Sequence, residues 1–184
     1  MKKYLIVAAL EEESQGLFEK LPNCNVIYTG VGKLNAALEL TFCISSPRAV
    51  INLGTTGGNL LDVGHVFQIH RFIQNDIDNR FTNKEDLEIN LKKFTNKFIT
   101  KQCFSADNFY EKDTYGIPSL FDMEGYALAR VCSIFDIPFI SLKYVSDTGS
   151  IEEWKKSLPI AAEALYKAAL ALIEELDKKP LNNY

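Results

Sequence analysis

The chain has 184 residues, 47% of them apolar and 24% charged, with 20 Lys plus Arg against 24 Asp plus Glu and a net charge of −4. That length suits one domain with a sizeable core, since a folded surface of roughly 9,000 Å² against roughly 30,000 Å² unfolded leaves about 70% buried. The composition excludes a disordered chain, and a weakly acidic balance without a basic run argues against nucleic-acid and anionic-membrane partners. No apolar run reaches the ~18 residues of a membrane span. The apolar stretch 4–10 runs straight into Glu11-Glu12-Glu13 without a cleavage site, so it reads as a core strand rather than a leader. Cys24, Cys43, Cys103 and Cys132 are far apart, have no CxxC pairing and lie in apolar contexts. That usage predicts reduced, buried thiols in a cytoplasmic protein and no structural zinc.

Residues 4–9 form a continuous apolar run, the pattern of a strand buried on both faces. A helix is predicted over 11–21, stopping before Pro22, then a short strand over 25–29. Gly30-Val31-Gly32-Lys33 reads as a turn and 34–44 as a helix with apolar residues at i, i+3 and i+4. A third buried strand, 49–53, is closed by Gly54-Thr55-Thr56-Gly57-Gly58, and 63–73 carries the next. Polar residues 75–83 read as loop, and Thr82-x-x-Glu85 as a capping box for a helix over 84–93. Residues 97–104 return to strand, 108–119 to loop, 123–135 to helix and 138–145 to a strongly apolar strand. Ser150-x-x-Glu153 opens a long amphipathic helix that Lys178-Lys179-Pro180 stops. This alternation predicts a single α/β domain over residues 1–184 with a largely parallel, mixed sheet.

Such a fold places ligands at the carboxyl ends of its strands. Four of those ends carry unusual residues: Glu11-Glu12-Glu13, Gly54 to Gly58, Ser105-Ala106-Asp107, and Ser146-Asp147. Taken singly, each has an ordinary reading beside a functional one. The glycine run is either a tight turn or a loop that lets backbone approach a ligand, and it lacks the Gly-Lys-Ser/Thr ending of a P-loop. Glu124 is either an exposed first-turn residue or one of a costly charged pair around Met123 entering an apolar helix. Ser146-Asp147 is either a turn with a helix cap or a polar site at a buried strand end. Trp154 covers either a pocket mouth or the core. His65 and His70 lie five apart on one predicted strand, face opposite sides and do not chelate a metal together.

In order, these segments resemble the purine nucleoside phosphorylase and nucleosidase superfamily, and most closely the methylthioadenosine/S-adenosylhomocysteine nucleosidases. Ala8-Ala9-Leu10-Glu11-Glu12-Glu13 is similar to that family's Ala-Met-Glu-Glu-Glu opening, and Thr29-Gly30-Val31-Gly32-Lys33 to its Ser-Gly-Ile-Gly-Lys. Ile51-Asn52-Leu53-Gly54-Thr55-Thr56-Gly57-Gly58 resembles Ile-Asn-Thr-Gly-Ser-Ala-Gly-Gly, and Val63-Gly64-His65-Val66 resembles Val-Gly-Asp-Val. Ser105-Ala106-Asp107-Asn108-Phe109 resembles Ser-Gly-Asp-x-Phe, and Asp122-Met123-Glu124-Gly125 with Ser146-Asp147 completes the set.

The resemblance implies a three-layer α/β/α sandwich around a central mixed sheet. It implies hydrolysis of a purine nucleoside, adenine by preference and 5′-modified, without metal or organic cofactor. Asp147 would supply or relay a proton to purine N7, and a carboxylic acid in that role is held protonated by burial. Glu13 would orient and deprotonate water. Glu124 would accept hydrogen bonds from the ribose hydroxyls, with Met123 against the sugar. Phe109 would stack on the base, and the backbone near Tyr110 would read its edge. Thr55 would help hold the water, Ser146 would orient Asp147, and Val31 would line the 5′ pocket. A homodimer is implied as well. Futalosine-type hydrolysis, phosphorolysis and nucleoside binding without turnover are the alternatives. The phosphorylase branch carries an arginine where this chain has Asn52, which favours water over phosphate as nucleophile. The chain departs from the family in its shorter length, in a missing hairpin before Asn25, and in a condensed stretch over 72–98. Lys143 stands where the family carries arginine, so the contact there must differ.

Overall fold

In the computed structural model, which describes residues 3–59, 63–109 and 118–178, the first apolar run is β1 (Tyr4–Ala8), buried along its whole length. It lies between two parallel partners, β2 (Cys24–Tyr28) and β3 (Ala49–Asn59). A strand flanked on both sides must bury both faces, which is why the run is continuous rather than alternating. Tyr4, Ile6 and Ala8 enter one core, and Leu5 and Val7 the other.

Two helical layers cover those faces. On one side α5 (Ile151–Lys178) presents Ala161, Leu165, Ala169 and Leu172 to Ile6, Ile51 and Leu142. On the other, α2 (Lys33–Cys43) and α4 (Gly125–Ile134) bring Ala36, Leu40, Leu128 and Cys132 against Leu5, Val7 and Val50. The protein is therefore a three-layer α/β/α sandwich around a mixed sheet, as the resemblance implies. The remaining strands are β4 (Val66–Gln74), β5 (Glu88–Asn90), β6 (Thr100–Ser105), β7 (Ser119–Asp122) and β8 (Phe139–Asp147). The strand order is β2-β1-β3-β7-β6-β4-β5, with β8 paired to both β3 and β4. Strands β3, β7, β6, β4 and β8 thereby close a ring.

Several elements differ from the sequence reading. The helix expected over 11–21 is one turn, α1 (Glu11–Ser14), followed by a short 3₁₀ turn at Phe18–Lys20. Gln15 and Gly16, at φ of 48° and 69°, take the left-handed conformation that ends a helix. Gly54 to Gly58 is not a turn but the second half of the eleven-residue β3. Its backbone pairs in parallel with Gly54 to Thr56 opposite Lys143 to Val145, and Gly57 to Asn59 antiparallel to β7. The helix expected over 84–93 stops after α3 (Lys84–Leu87), and Asn83 rather than Thr82 stands at its N-cap position, without a side-chain capping bond. The following residues are claimed by β4, with Phe72 opposite Ile89 and the Leu91 N–H bonded to the His70 carbonyl. The helix expected to begin at Met123 starts at Gly125, with Glu124 as its N-cap. The long C-terminal helix runs through Pro159, and the Glu153 N–H is 3.3 Å from Ser150 Oγ.

Among the described residues no helix is long and apolar enough to cross a membrane. Cys24, Cys103 and Cys132 are buried thiols, Cys43 is half-buried, and none forms a disulfide. Burial alone pushes the Cys132 thiol up to about 12, so it stays protonated and inert.

Gly125 is where the fold tolerates no side chain. A Cβ there would lie 2.1 Å from the fully buried Phe72 ring and 2.5 Å from Asp122 Oδ2. Gly125→Ala is expected to destabilise the protein by about 2 kcal/mol or more, through overpacking. The urea midpoint measures it, and an unchanged midpoint would mean that the ring moves aside freely.

Candidate active site

The carboxyl ends of β1, β3, β7 and β8 meet at one cavity of about 240 Å³. Its lining includes eight of the nine residues singled out from the sequence: Glu13, Val31, Thr55, Phe109, Met123, Glu124, Ser146 and Asp147. The ninth, Tyr110, lies outside the described residues. The cavity also meets Asp122, Phe121 and Ile151, which no motif role had covered, and Trp154 belongs to its wall.

Glu13 reaches the cavity because α1 is a single turn that rises straight from the end of β1. The carboxylate is 5% exposed. Its Oε1 accepts the Thr55 N–H at 2.8 Å and the Thr55 hydroxyl at 2.7 Å. Among the described residues its Oε2 has one long contact, the Leu10 N–H at 3.4 Å. Thr55 thus holds the carboxylate itself rather than only water. Gly54 clears the approach, since a Cβ there would lie 3.3 Å from Lys143 Nζ and 3.5 Å from Glu13 Oε1.

Lys143 sits in the middle of β8 with its ammonium 2.9 Å from Asp122 Oδ2, both side chains almost fully buried. Asp122 also accepts the Ser105 hydroxyl and the Gly125 N–H at 3.0 Å. Burial works against the ammonium, but the charges of Asp122 and Glu124 outweigh it and hold Lys143 above the usual lysine range. The departure from arginine is therefore answered by one compact ion pair in place of a two-pronged contact.

Glu124 is buried rather than exposed on a first turn, and its Oε1 accepts the Gly32 N–H at 2.9 Å. Burial, and then the neighbouring Asp122 charge, push its carboxyl up to about 7 against the opposing pull of Lys143 and Gly32. Asp147 ends β8 at 1% exposure. The register slips between Thr56 and Gly57, so that Gly57 faces Asp147 and Ser146 is the extra residue of a bulge. A bulge re-aims the side chain that follows it, here into the cavity. The Ser146 hydroxyl lies 2.7 Å from Asp147 Oδ2 and 3.2 Å from the Thr56 carbonyl, and the Gly149 N–H donates to Oδ1 at 2.9 Å.

Apolar groups complete the walls. Phe109 is 38% exposed at the mouth, and Val31 is 42% exposed at the lip. The rim is clasped by Lys33, which pairs with Asp76 while its N–H donates to Asp107 Oδ1 at 2.7 Å; the Asp107 N–H in turn donates to Asp76 at 2.8 Å. This gives the acidic loop after β4 a place, tying it to the start of α2. Asn52 is absent from the cavity wall. Its amide donates to the Val7 carbonyl at 3.1 Å and accepts the Ser141 hydroxyl at 2.8 Å, inside the sheet. Among the described residues, no group of three or more His, Cys, Asp or Glu side chains is placed to hold a metal ion.

The phosphorylase superfamily family model matches residues 105–174, the stretch that carries Asp122, Glu124, Asp147 and Trp154. The chain is similar to the 5′-methylthioadenosine/S-adenosylhomocysteine nucleosidase of Desulfotalea psychrophila, 26% identical over 227 aligned positions that cover 93% of this chain and 97% of the relative. That alignment is longer than the 184 residues here, so the relative carries segments this chain lacks. A crystal structure of the Helicobacter pylori nucleosidase of that name, with butyl-thio-DADMe-Immucillin-A, superposes with a TM-score of 0.82 at 20% identity, covering 96% of this chain and 99% of that one. A structure of a futalosine hydrolase mutant of Helicobacter pylori strain 26695 superposes equally, at 0.82 and 19% identity, covering 96% and 100%. The fold of these two structures thus extends over nearly the whole chain.

The Glu124 carboxyl supplies a stability test. Its folded pKa of about 7 lies above the ordinary 4.5, so the folded state keeps a proton that the unfolded chain sheds first. That contribution is fully present below pH ~4.5 and lost as pH rises to ~7. Relative to Glu124→Gln, the parent protein should lose on the order of 2–3 kcal/mol across that window. Urea unfolding at pH 5 and pH 8 measures the difference, and an equal gap at both would place the Glu124 pKa near its ordinary value.

Proposed function

We propose that this protein hydrolyses the N-glycosidic bond of a purine nucleoside, with adenine as base and a 5′-modified ribose such as that of methylthioadenosine or S-adenosylhomocysteine. The observation that carries this reading is the placement of Glu13, Glu124 and Asp147 around one small cavity with an aromatic ring, Phe109, at its mouth. The reaction needs a water nucleophile, a proton for the departing base and a hold on an oxocarbenium-like sugar. Glu13 takes the proton from water as its oxygen bonds to the anomeric carbon. Asp147, oriented by Ser146, holds or relays the proton that arrives on the base as the C–N bond breaks. Glu124 receives the ribose hydroxyls with Met123 against the sugar, Phe109 stacks on the base, and Val31 lines the 5′ side. Nucleoside relatives and neighbours support this assignment by the activities in their names.

Water is favoured over phosphate by charge. Among the described residues lining the cavity there is no lysine or arginine, whereas the Glu13 carboxylate would repel a dianion. The Lys143 ammonium is committed to Asp122. A non-catalytic binder would need neither Glu13 nor Asp147, which weighs against that alternative. Futalosine-type nucleosides are the second substrate class, supported by the futalosine hydrolase neighbour. A single domain over residues 1–184, a cytoplasmic homodimer and a place in methionine salvage belong to the same reading. The dimer is supported by an exposed stripe on α2, where Leu34, Leu38 and Phe42 are 70%, 50% and 84% exposed beside Val31.

The test is base release from methylthioadenosine, S-adenosylhomocysteine, adenosine, inosine and futalosine, each with and without phosphate. Adenine release independent of phosphate is expected, and release from none of the five sinks the hydrolase reading. Asp147→Asn should fold normally and lose at least ~10²-fold in rate, the scale of general acid catalysis. Near-parental turnover in that variant would remove Asp147 from the proton path.

A further inference from the structure

We infer that Trp154 is a positioning residue that acts on Glu13 through Thr55, so that one chosen oxygen of the Glu13 carboxylate is left to take a proton. The inference rests on the hydrolase reading above and adds to it a residue and an orientation.

The geometry is a chain of three donors and acceptors. Trp154 Nε1 lies 3.0 Å from Thr55 Oγ1. An indole N–H only donates, so the hydroxyl oxygen is its acceptor. Thr55 Oγ1 lies 2.7 Å from Glu13 Oε1. With its oxygen receiving the indole proton, the hydroxyl directs its own proton at the carboxylate. Successive hydrogen bonds of this kind polarise one another, which strengthens the bond to the charged end. The Thr55 N–H, at 2.8 Å, ends on the same oxygen. Oε1 is therefore doubly occupied, while among the described residues Oε2 meets only the Leu10 N–H at 3.4 Å. The oxygen left with available lone pairs, and hence the base, is Oε2.

Tertiary structure alone creates this relay. Thr55 lies in the glycine-rich half of β3, Glu13 on the turn after β1, and Trp154 on the first turn of α5, ninety-nine residues beyond Thr55. The indole also forms part of the cavity wall, so it shields the Thr55–Glu13 bond from water. Without the indole N–H, the hydroxyl could turn its proton towards the cavity, and Oε1 would compete with Oε2 for the water.

The relay makes Trp154 and Thr55 one device, and a double-mutant cycle reads that out. Trp154→Phe keeps an aromatic ring and removes the N–H. It should lower kcat about two- to tenfold with KM within about twofold, the scale of one neutral hydrogen bond. Thr55→Val should cost about 10–100-fold, and Thr55→Ser should recover most of that loss. The Trp154→Phe/Thr55→Val double variant should be no slower than Thr55→Val alone. Losses that multiply, or a Trp154→Phe effect confined to KM, would make Trp154 a plain wall of the cavity and overturn the inference.

A second readout does not depend on turnover. Trp154 is the chain's single tryptophan, so intrinsic fluorescence reports this site alone. Thr55→Val should shift its emission relative to the parent, and Thr55→Ser should not. Emission unmoved by Thr55→Val would show that the indole N–H has no bond to Thr55 and overturn the relay. Should the parent protein release no base from any nucleoside while the emission shift is present, the hydrolase reading falls and the indole–threonine contact stands.

Discussion

The ion pair between Lys143 and Asp122 is the constraint on which the site depends. Glu13, Asp122, Glu124 and Asp147 all border one cavity, and four ionised carboxylates at such separations repel strongly in a low-dielectric interior. A buried pair is costly to form and is tolerated only when its remaining hydrogen-bonding capacity is met. Asp122 meets that condition with three donors: the Lys143 ammonium, the Ser105 hydroxyl and the Gly125 N–H. Those donors come from β8, β6 and α4, so the pair also locks three elements together beneath the cavity. Glu124 is the carboxyl that gives way, raised to about 7 by burial and then by the charge of Asp122.

The sheet then explains why these groups meet. The strands β1, β3 and β8 run in parallel, and β3 and β8 continue past the level at which β1 ends, which brings their later residues alongside the turn after β1. Glu13 follows the first of these, the glycine-rich stretch forms the second half of the next, and Asp147 terminates the third. Two bare Cα atoms clear the space, one at Gly54 for Lys143 and Glu13, the other at Gly125 for Phe72 and Asp122. One bulge at Ser146 turns Asp147 inward. The charged groups are therefore carried by strands and by the first turns of helices, with short leashes and little freedom to drift.

Much of this was readable in advance because polar residues at the end of an apolar run announce a strand leaving its core. That signal placed Glu13 and Asp147 correctly at strand ends, and the motif order pointed to the nucleosidase relatives. It failed where hydrogen-bond partners outweigh local preference. Gly54 to Gly58 has the composition of a turn, yet β8 and β7 supply a ladder and it extends β3. Ile89 and Leu91 have helical spacing with their neighbours, yet the edge of β4 recruits their backbone into β5. The first helix is cut short by the left-handed Gln15, a residue whose identity gives no warning of that conformation.

The sequence by itself determined the α/β class, the two buried faces of β1 and the set of polar residues available for chemistry, because each of these follows from periodicity and from what a strand end exposes. Only the tertiary structure decided which of those residues touch. Lys143 against Asp122, Trp154 against Thr55 and Gly32 against Glu124 join positions 21, 99 and 92 residues apart. No local pattern encodes such pairings, since they arise from strand register and from the angle at which α4 and α5 start. The same placements set the charge balance of the cavity, and with it which carboxyl holds a proton.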